Sequence, residues 1–243
     1  MKESADVDAL YADLLAAGEV AVRVAEVLGR ELDEETLLSV LRRAVPIKAL
    51  EHLARTKPWS ERSRVLTAIV LNPKAPPRLS LPLVPALLWR GLADVAASSR
   101  VPSAVRLRAE STLQEGLAQL RLGEKITLGR LATPAVLMAL LSDPEARVLE
   151  ACLVNPRLRE ADLVVALRRP DASAALMEAT AAAYRWANAY AVKLELALQP
   201  RAPLGVALAQ LSSLTRRDLL RVSETAGLAP LVQIAALRVA GER

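Results

Sequence analysis

The sequence has few of the residues on which catalysis and metal binding usually depend. Its 243 residues include one histidine, one cysteine and no phenylalanine, and aromatic residues make up 2%. One His and one Cys cannot supply a HExxH zinc site or a Cys/His metal cluster. A single cysteine also excludes a disulfide within the chain. Because Cys152 lies in an apolar run, we expect it to be a buried small hydrophobic residue.

Other chemical motifs are absent as well. The nine glycines are scattered, and the segment GEKIT at 123–127 lacks the spacing of a phosphate-binding loop. The N-terminal segment MKESADVDALY lacks the pattern of a signal peptide, and no uncharged apolar run approaches the length of a membrane span. We therefore expect a non-enzymatic, cytoplasmic protein with no cofactor and no metal.

What the sequence does contain is helix-forming residues in a repeating pattern. Hydrophobic residues make up 53% of the chain, and the leucine and alanine among them favour helices. Three segments match in their apolar positions and in the proline at their ends: RVLTAIVLNP at 64–73, RVLEACLVNP at 147–156 and AVKLELALQP at 191–200. The anchor residues Asn72, Asn155 and Gln199 lie 83 and 44 residues apart, which predicts a unit of roughly 40–47 residues containing two helices. The segment 104–120 occupies the place of the missing copy.

The Asn-Pro pairs predict where helices end. Proline disfavours helical geometry in the residue before it and has no backbone N–H to donate. We therefore expect each pair to end a helix and to start a tight link. Pro76, Pro77 and Pro203 then stand where a new helix is expected to begin.

These motifs give the chain a resemblance to bacterial α-solenoid proteins. Asn72-Pro73 with Pro76, Asp143-Pro144, Asn155-Pro156, and Gln199-Pro200 with Pro203 are similar to the ends of HEAT-like units and of the leucine-rich-repeat variant. Residues 123–240 resemble uncharacterised bacterial proteins of this kind. The resemblance implies an all-α fold, a right-handed α-solenoid of HEAT- or armadillo-like helical pairs with about 5–6 repeats. It implies no activity.

The charge distribution suggests two parts. Residues 1–60 carry 8 Lys and Arg against 11 Asp and Glu, whereas residues 61–243 carry 24 against 16. We predict an acidic helical cap at 1–58 and one continuous repeat body at 59–243, since end repeats need a polar outer face. Within the body we expect single helices at 81–98, from 101 to about 122, and at 185–198.

One aromatic and basic cluster is a candidate binding site. In the predicted helix 185–198, Trp186, Tyr190 and Lys193 are spaced i, i+4 and i+7 and would share one face. Such a face suits a partner protein or a nucleotide base. The alternative is core packing with the polar tips reaching water.

A second candidate is a series of arginines that recurs on the anchor helices. If these helices line the concave face of a solenoid, the side chains would form a ladder for an acidic peptide or a phosphate backbone. The alternative is a row of salt bridges to nearby glutamates, such as Glu61, Glu110, Glu145, Glu150 and Glu195. The ladder comprises Arg62, Arg64, Arg106, Arg108, Arg147, Arg185 and Lys193.

Two functions remain open from the sequence. The first is a scaffold or adaptor that binds a partner protein through its concave face. The second is a nucleic-acid-binding protein with a basic concave groove, against which stand the modest charge of the body and the scarcity of aromatic residues. For both, the partner-binding candidates are Arg64, Arg106, Arg108, Arg147, Arg185, Trp186, Tyr190 and Lys193.

Overall fold

The computed structural model describes residues 2–242, with side chains from Asp6 onward. Within this range the chain folds into seventeen α-helices joined by short links and 3-10 turns, and it has no β-strand. The all-α prediction is therefore confirmed. The chain divides into two compact units, Met1–Ala118 and Gln119–Arg243. The boundary that we predicted at residue 58 lies inside the first unit.

The first unit contains eight helices, most of them two to three turns long. They are α1 (Lys2–Ala17), α2 (Ala21–Leu28), α3 (Glu34–Leu41), α4 (Ile47–Arg55), α5 (Ser63–Leu71), α6 (Pro77–Leu83), α7 (Trp89–Ala97) and α8 (Ser103–Glu115).

The second unit contains nine helices of similar length. They are α9 (Leu122–Leu131), α10 (Pro134–Leu140), α11 (Ala146–Leu153), α12 (Glu160–Arg168), α13 (Ala174–Ala182), α14 (Tyr190–Leu198), α15 (Leu204–Leu211), α16 (Arg216–Glu224) and α17 (Pro230–Gly241).

Packing in each unit follows an alternating rule, in which a helix contacts the helix two positions further along the chain. In the first unit α1, α3, α5 and α7 pack in succession, and α2 packs on α4. In the second unit α9, α11, α13, α15 and α17 form one series, while α10, α12, α14 and α16 form another. The second unit therefore contains two series of alternate helices and the first unit contains one, while consecutive helices also pack on each other, most extensively α16 on α17 and α7 on α8.

One period of the sequence contains more helices than we expected. The interval between Asn155 and Gln199 contains α12, α13 and α14, so the sequence period holds three helices and not the two that we expected. Helices of 7–13 residues make up most of the chain because proline and short polar links end them early. The anchor helices α11 and α14 consequently belong to different series.

Three predicted helices are broken in the structure. Residues 81–98 do not form one helix, because α6 ends at Leu83, a 3-10 turn at Val84–Ala86 that contains Pro85 follows, and α7 begins at Trp89. The helix predicted to reach about residue 122 ends at Glu115 before a 3-10 turn at Leu117–Gln119. In place of a helix from 185, a 3-10 turn at Tyr184–Trp186 precedes α14.

The anchor asparagines hold adjacent helices together. Asn155 is buried, and its amide N–H groups donate to the carbonyl oxygens of Gly129 at 2.8 Å and Ala132 at 3.2 Å, at the end of α9. Its side-chain oxygen accepts the backbone N–H of Arg157 at 2.8 Å. The asparagine therefore satisfies carbonyl groups that a helix end leaves without a partner.

Asn72 repeats this arrangement in the first unit. It is buried and donates to the carbonyl oxygens of Leu41 and Arg43, both at 2.8 Å, at the end of α3. Its side-chain oxygen accepts the backbone N–H of Lys74 at 3.0 Å. The prolines were predicted to end the helices, and the structure adds that the preceding asparagine fastens each end to a neighbouring helix.

The cores consist mainly of leucine, valine and alanine, as the composition indicates. Of the tryptophans, Trp59 and Trp186 are buried. No helix between residues 2 and 242 combines the length and the apolar character that crossing a membrane requires.

Candidate functional site

The first unit carries an open cavity of about 610 Å³ on the surface of α3, α5 and α7. This volume lies within the range of sites that hold small ligands or short chain segments, which runs from about 300 to 1,000 Å³. We call the cavity the Leu88 groove, after the most exposed leucine that lines it. Leu88 is 65% exposed and stands immediately before α7.

Contacts between the three helices show that they run parallel. At their first turns, Arg64 of α5 pairs with Glu35 of α3, and the backbone N–H of Leu88 donates to Ser63 Oγ at 3.1 Å. At their last turns, Asn72 reaches the end of α3, as described above. The groove therefore follows the length of α5, which is about 12 Å for nine residues.

Close packing shapes the middle of the groove. An added Cβ atom at Gly91 of α7 would lie 2.3 Å from Oγ1 of Thr67 on α5, so only glycine lets these helices approach so closely. The floor on either side is apolar and includes Leu38, Leu41 and Leu71. An apolar floor that is open to solvent favours binding of an aliphatic group by burial.

Four arginines and one acidic residue line the groove. Arg64 pairs with Glu35 at 2.7 Å and with Glu34 at 3.6 Å, and the hydrogen bond that it donates to Glu35 raises the pKa of the Arg64 guanidinium. Arg90 lies 3.8 Å from Asp94, one turn further along α7. These two arginines stand near the first turns of α5 and α7, and their charges are compensated within the protein.

At the end of the groove beside the last turns of α3 and α7, the arginines form no ion pair with any described residue. Arg42 follows the last residue of α3, Arg100 follows α7, and both side chains are exposed. Among the residues that the structure describes, neither of the two forms an ion pair. The groove thus combines an apolar floor with two uncompensated guanidinium groups at one end.

Arg64 is the one predicted binding residue that lines this groove. Arg108 and Arg147 are exposed on α8 and α11, and Arg106 is half-buried with its Nε atom left without a hydrogen-bond partner. The glutamates that pair with Arg64 are Glu34 and Glu35 on α3, which are not among the glutamates predicted as partners of the arginines. Arg64 therefore forms salt bridges, as the alternative to a binding ladder predicted, but its partners are glutamates other than those predicted.

The side chains of Arg185 and Trp186 donate hydrogen bonds to backbone carbonyl groups of the protein itself. The guanidinium of Arg185 donates to the carbonyl oxygens of Asn155 and Leu158, the latter at 2.7 Å, and lies 4.5 Å from the ring centroid of Trp186. Trp186 is 5% exposed, and its Nε1–H donates to the carbonyl oxygen of Leu153 at 3.1 Å. Both side chains thus satisfy carbonyl groups at and just beyond the end of α11.

The predicted face of Trp186, Tyr190 and Lys193 does not form. Trp186 belongs to the turn before α14, whereas Tyr190 and Lys193 lie in the helix itself. The Tyr190 hydroxyl donates to Asp218 and accepts the backbone N–H of Thr215 at 3.1 Å. Hydrogen bonds from Tyr190 and then Thr215 lower the pKa of the Asp218 carboxyl group. Tyr190 therefore joins α14 to the start of α16.

The described residues offer no cluster of three or more His, Cys, Asp or Glu side chains that could hold a metal ion. Cys152 is buried as predicted, and burial raises the pKa of its thiol to about 12. His52 is half-buried beside a smaller cavity of about 340 Å³. None of these residues lies in the Leu88 groove.

Sequence reasoning missed the groove because its residues come from three helices that no sequence period relates. Local rules explain Arg42 as a cation at the end of its helix, where it complements the helix dipole, and no sequence motif contains Arg90 or Arg100. The contact between Gly91 and Thr67 likewise depends on tertiary packing.

Comparison with models of protein families, with curated proteins and with solved structures finds no match to this chain.

Proposed function

We propose that the protein is a non-enzymatic scaffold that binds a partner protein through the Leu88 groove. We further propose that each unit is a stretch of right-handed α-solenoid, related to HEAT-like and leucine-rich-repeat-variant proteins. The alternating packing of helices supports the second proposal, because stacked helical units bury their apolar faces against their neighbours in this way.

The observation that carries the binding proposal is the open apolar floor beside uncompensated charge. Leu88 is 65% exposed on a surface that also presents Arg42 and Arg100. Interfaces between proteins are enriched in arginine and have apolar centres bordered by polar groups. The groove likewise has an apolar centre bordered by arginines, over a smaller area than a complete interface.

A nucleic-acid partner fits the geometry less well. Binding of single strands generally uses aromatic side chains on which bases stack. Trp186, which the sequence offered for this purpose, is buried, and the Tyr190 hydroxyl is engaged by Asp218 and Thr215. Among the described residues, no aromatic side chain lines the Leu88 groove.

Site-specific photo-crosslinking tests the binding proposal. Leu88 and Leu107 are exposed to similar extents, 65% and 63%, but only Leu88 lines the groove. Each is replaced by p-benzoylphenylalanine, and the protein is irradiated in the cells that produce it. We expect a discrete protein adduct from position 88 that is lost when Arg42→Glu and Arg100→Glu are added, and no such adduct from position 107.

The opposite results would contradict the proposal. Irradiation that gives no adduct from position 88, or the same adducts from both positions, would show that the groove is not a binding surface. Crosslinks to nucleic acid in place of protein would favour the second function.

A further inference from the structure

The charge pattern of the Leu88 groove specifies the kind of segment that binds there, and this inference rests on the proposed function. We propose that the groove takes a short acidic segment of a partner protein, in which an aliphatic side chain lies beside one or two carboxylates.

The apolar part of the segment follows from the floor. Ala68 and Leu71 of α5 are half-buried and present apolar surface in the groove, and Leu88 stands exposed at its edge. Leu38 and Leu41, which also line the groove, are 8% and 1% exposed. An aliphatic side chain placed there would be removed from water on its inner side, which is favourable in proportion to the area buried. A purely charged segment would leave this surface uncovered.

The acidic part follows from which arginines are already paired. Arg64 and Arg90 form ion pairs with acidic residues of the protein itself, whereas Arg42 and Arg100 form none among the described residues. Guanidinium groups bind carboxylates in a planar, two-bonded geometry that suits this role. The one acidic residue in the groove, Asp94, lies next to Arg90 on α7.

The dimensions limit the length of the segment. The groove follows α5 for about 12 Å, and an extended chain advances roughly 3.3 Å per residue. About four residues therefore fit along the floor. The carboxylates must lie at one end of these residues, because Arg42 and Arg100 both stand at the last turns of their helices.

Helix dipoles offer a different reason for the same arginines. The last turns of α3 and α7 carry partial negative charge, which a nearby arginine stabilises whether or not a ligand is present. If this is their whole role, replacing Arg42 and Arg100 lowers the melting temperature without changing binding of any ligand. A binding measurement together with a melting curve therefore separates the two roles.

The test is selection of random twelve-residue peptides displayed on phage against the full-length protein. We expect enrichment of peptides in which Asp or Glu lies within two residues of Leu, Ile or Val. Selected peptides should bind the R42Q/R100Q double variant at least about tenfold more weakly, since each charge-assisted hydrogen bond is worth about a factor of ten. The matched R108Q/R147Q variant removes two exposed arginines outside the groove and should bind as the unaltered protein does.

Each other outcome overturns the inference in a distinguishable way. Enriched peptides without an acidic excess that still lose binding in Leu88→Glu would refute the acidic segment while keeping the groove as a protein-binding surface. A selection that yields no groove-dependent peptide would refute both proposals. Equal binding to R42Q/R100Q and to the unaltered protein would assign the two arginines to the helix ends alone.

Discussion

Replacing Asn155 with alanine tests how α9 and α11 are held together within the second unit. The side chain donates to two carbonyl oxygens at the end of α9 and accepts one N–H, at distances of 2.8–3.2 Å. Asn155→Ala removes all three hydrogen bonds at a position that is 1% exposed, where water cannot replace them without opening the packing.

The expected cost follows from the number of groups left without partners. A buried polar group without a hydrogen bond costs about 1–3 kcal/mol, so two carbonyl oxygens and one N–H give at least about 3 kcal/mol. For a unit of this size, a loss of that magnitude lowers the melting temperature by about 10 °C. The measurement is urea and thermal unfolding followed by circular dichroism.

Two further variants make the test specific. Asn155→Asp keeps the acceptor for Arg157 but turns an oxygen toward the carbonyls of Gly129 and Ala132, so it should destabilise at least as much as alanine. Asn188→Ala changes an exposed asparagine and should leave stability within about 0.5 kcal/mol of the unaltered protein. A loss below about 1 kcal/mol in Asn155→Ala, or full stability in Asn155→Asp, would refute the reasoning.

Three other predictions concern packing, reactivity and pH. Gly91→Ala should lower the free energy of unfolding by about 1–3 kcal/mol, because its Cβ atom would lie 2.3 Å from Oγ1 of Thr67. In a double-mutant cycle, adding Thr67→Ala should restore most of this stability, and additive effects of the two substitutions would contradict the clash. Cys152 should react with a thiol reagent at pH 8 only as fast as the protein unfolds, because it is buried and its pKa is raised to about 12; rapid stoichiometric labelling would contradict this. Tyr190→Phe should raise the pKa of Asp218 toward its ordinary value in an NMR titration. Because the pKa of Asp218 is lowered in the folded state, the contact stabilises the protein above about pH 4, and this stabilisation is lost as the pH falls below that value. The stability of the variant should therefore depend less on pH below about pH 4. An unchanged titration of Asp218 would count against the hydrogen bond.

The sequence predicts the secondary structure better than the packing. Leucine and alanine predicted an all-helical chain, and Asp33 and Thr215 begin helices as side-chain caps, which local rules anticipate. The apolar pattern also placed the ends of α5 and α11 at Asn72 and Asn155 within a residue or two.

Packing between helices required the structure. The 44-residue interval between anchors predicted a unit of two helices, but the interval contains α12, α13 and α14. The spacing of Trp186 and Tyr190 allowed either a shared binding face or core packing, and the structure shows that the indole of Trp186 is buried and lies in a turn before α14. A sequence period shows which segments are alike, and it does not show which of them meet.

The candidate site depended on contacts of the same kind. Arg64 was predicted as a binding residue because of its place on an anchor helix, and it does line the groove. However, it forms ion pairs with Glu34 and Glu35. Arg42 and Arg100, which carry the proposal, lie 58 residues apart and come together only when α3 and α7 flank α5. No local rule relates such positions.

The most direct test of the binding site is methyl NMR of leucine-labelled protein titrated with a peptide from the selection. We expect shifts concentrated on the leucines that line the groove, Leu38, Leu41, Leu71 and Leu88, saturating with one peptide per chain and abolished in R42Q/R100Q. Shifts centred on other leucines, such as the exposed Leu231 and Leu237 of α17, or no saturable shift in the groove, would contradict it.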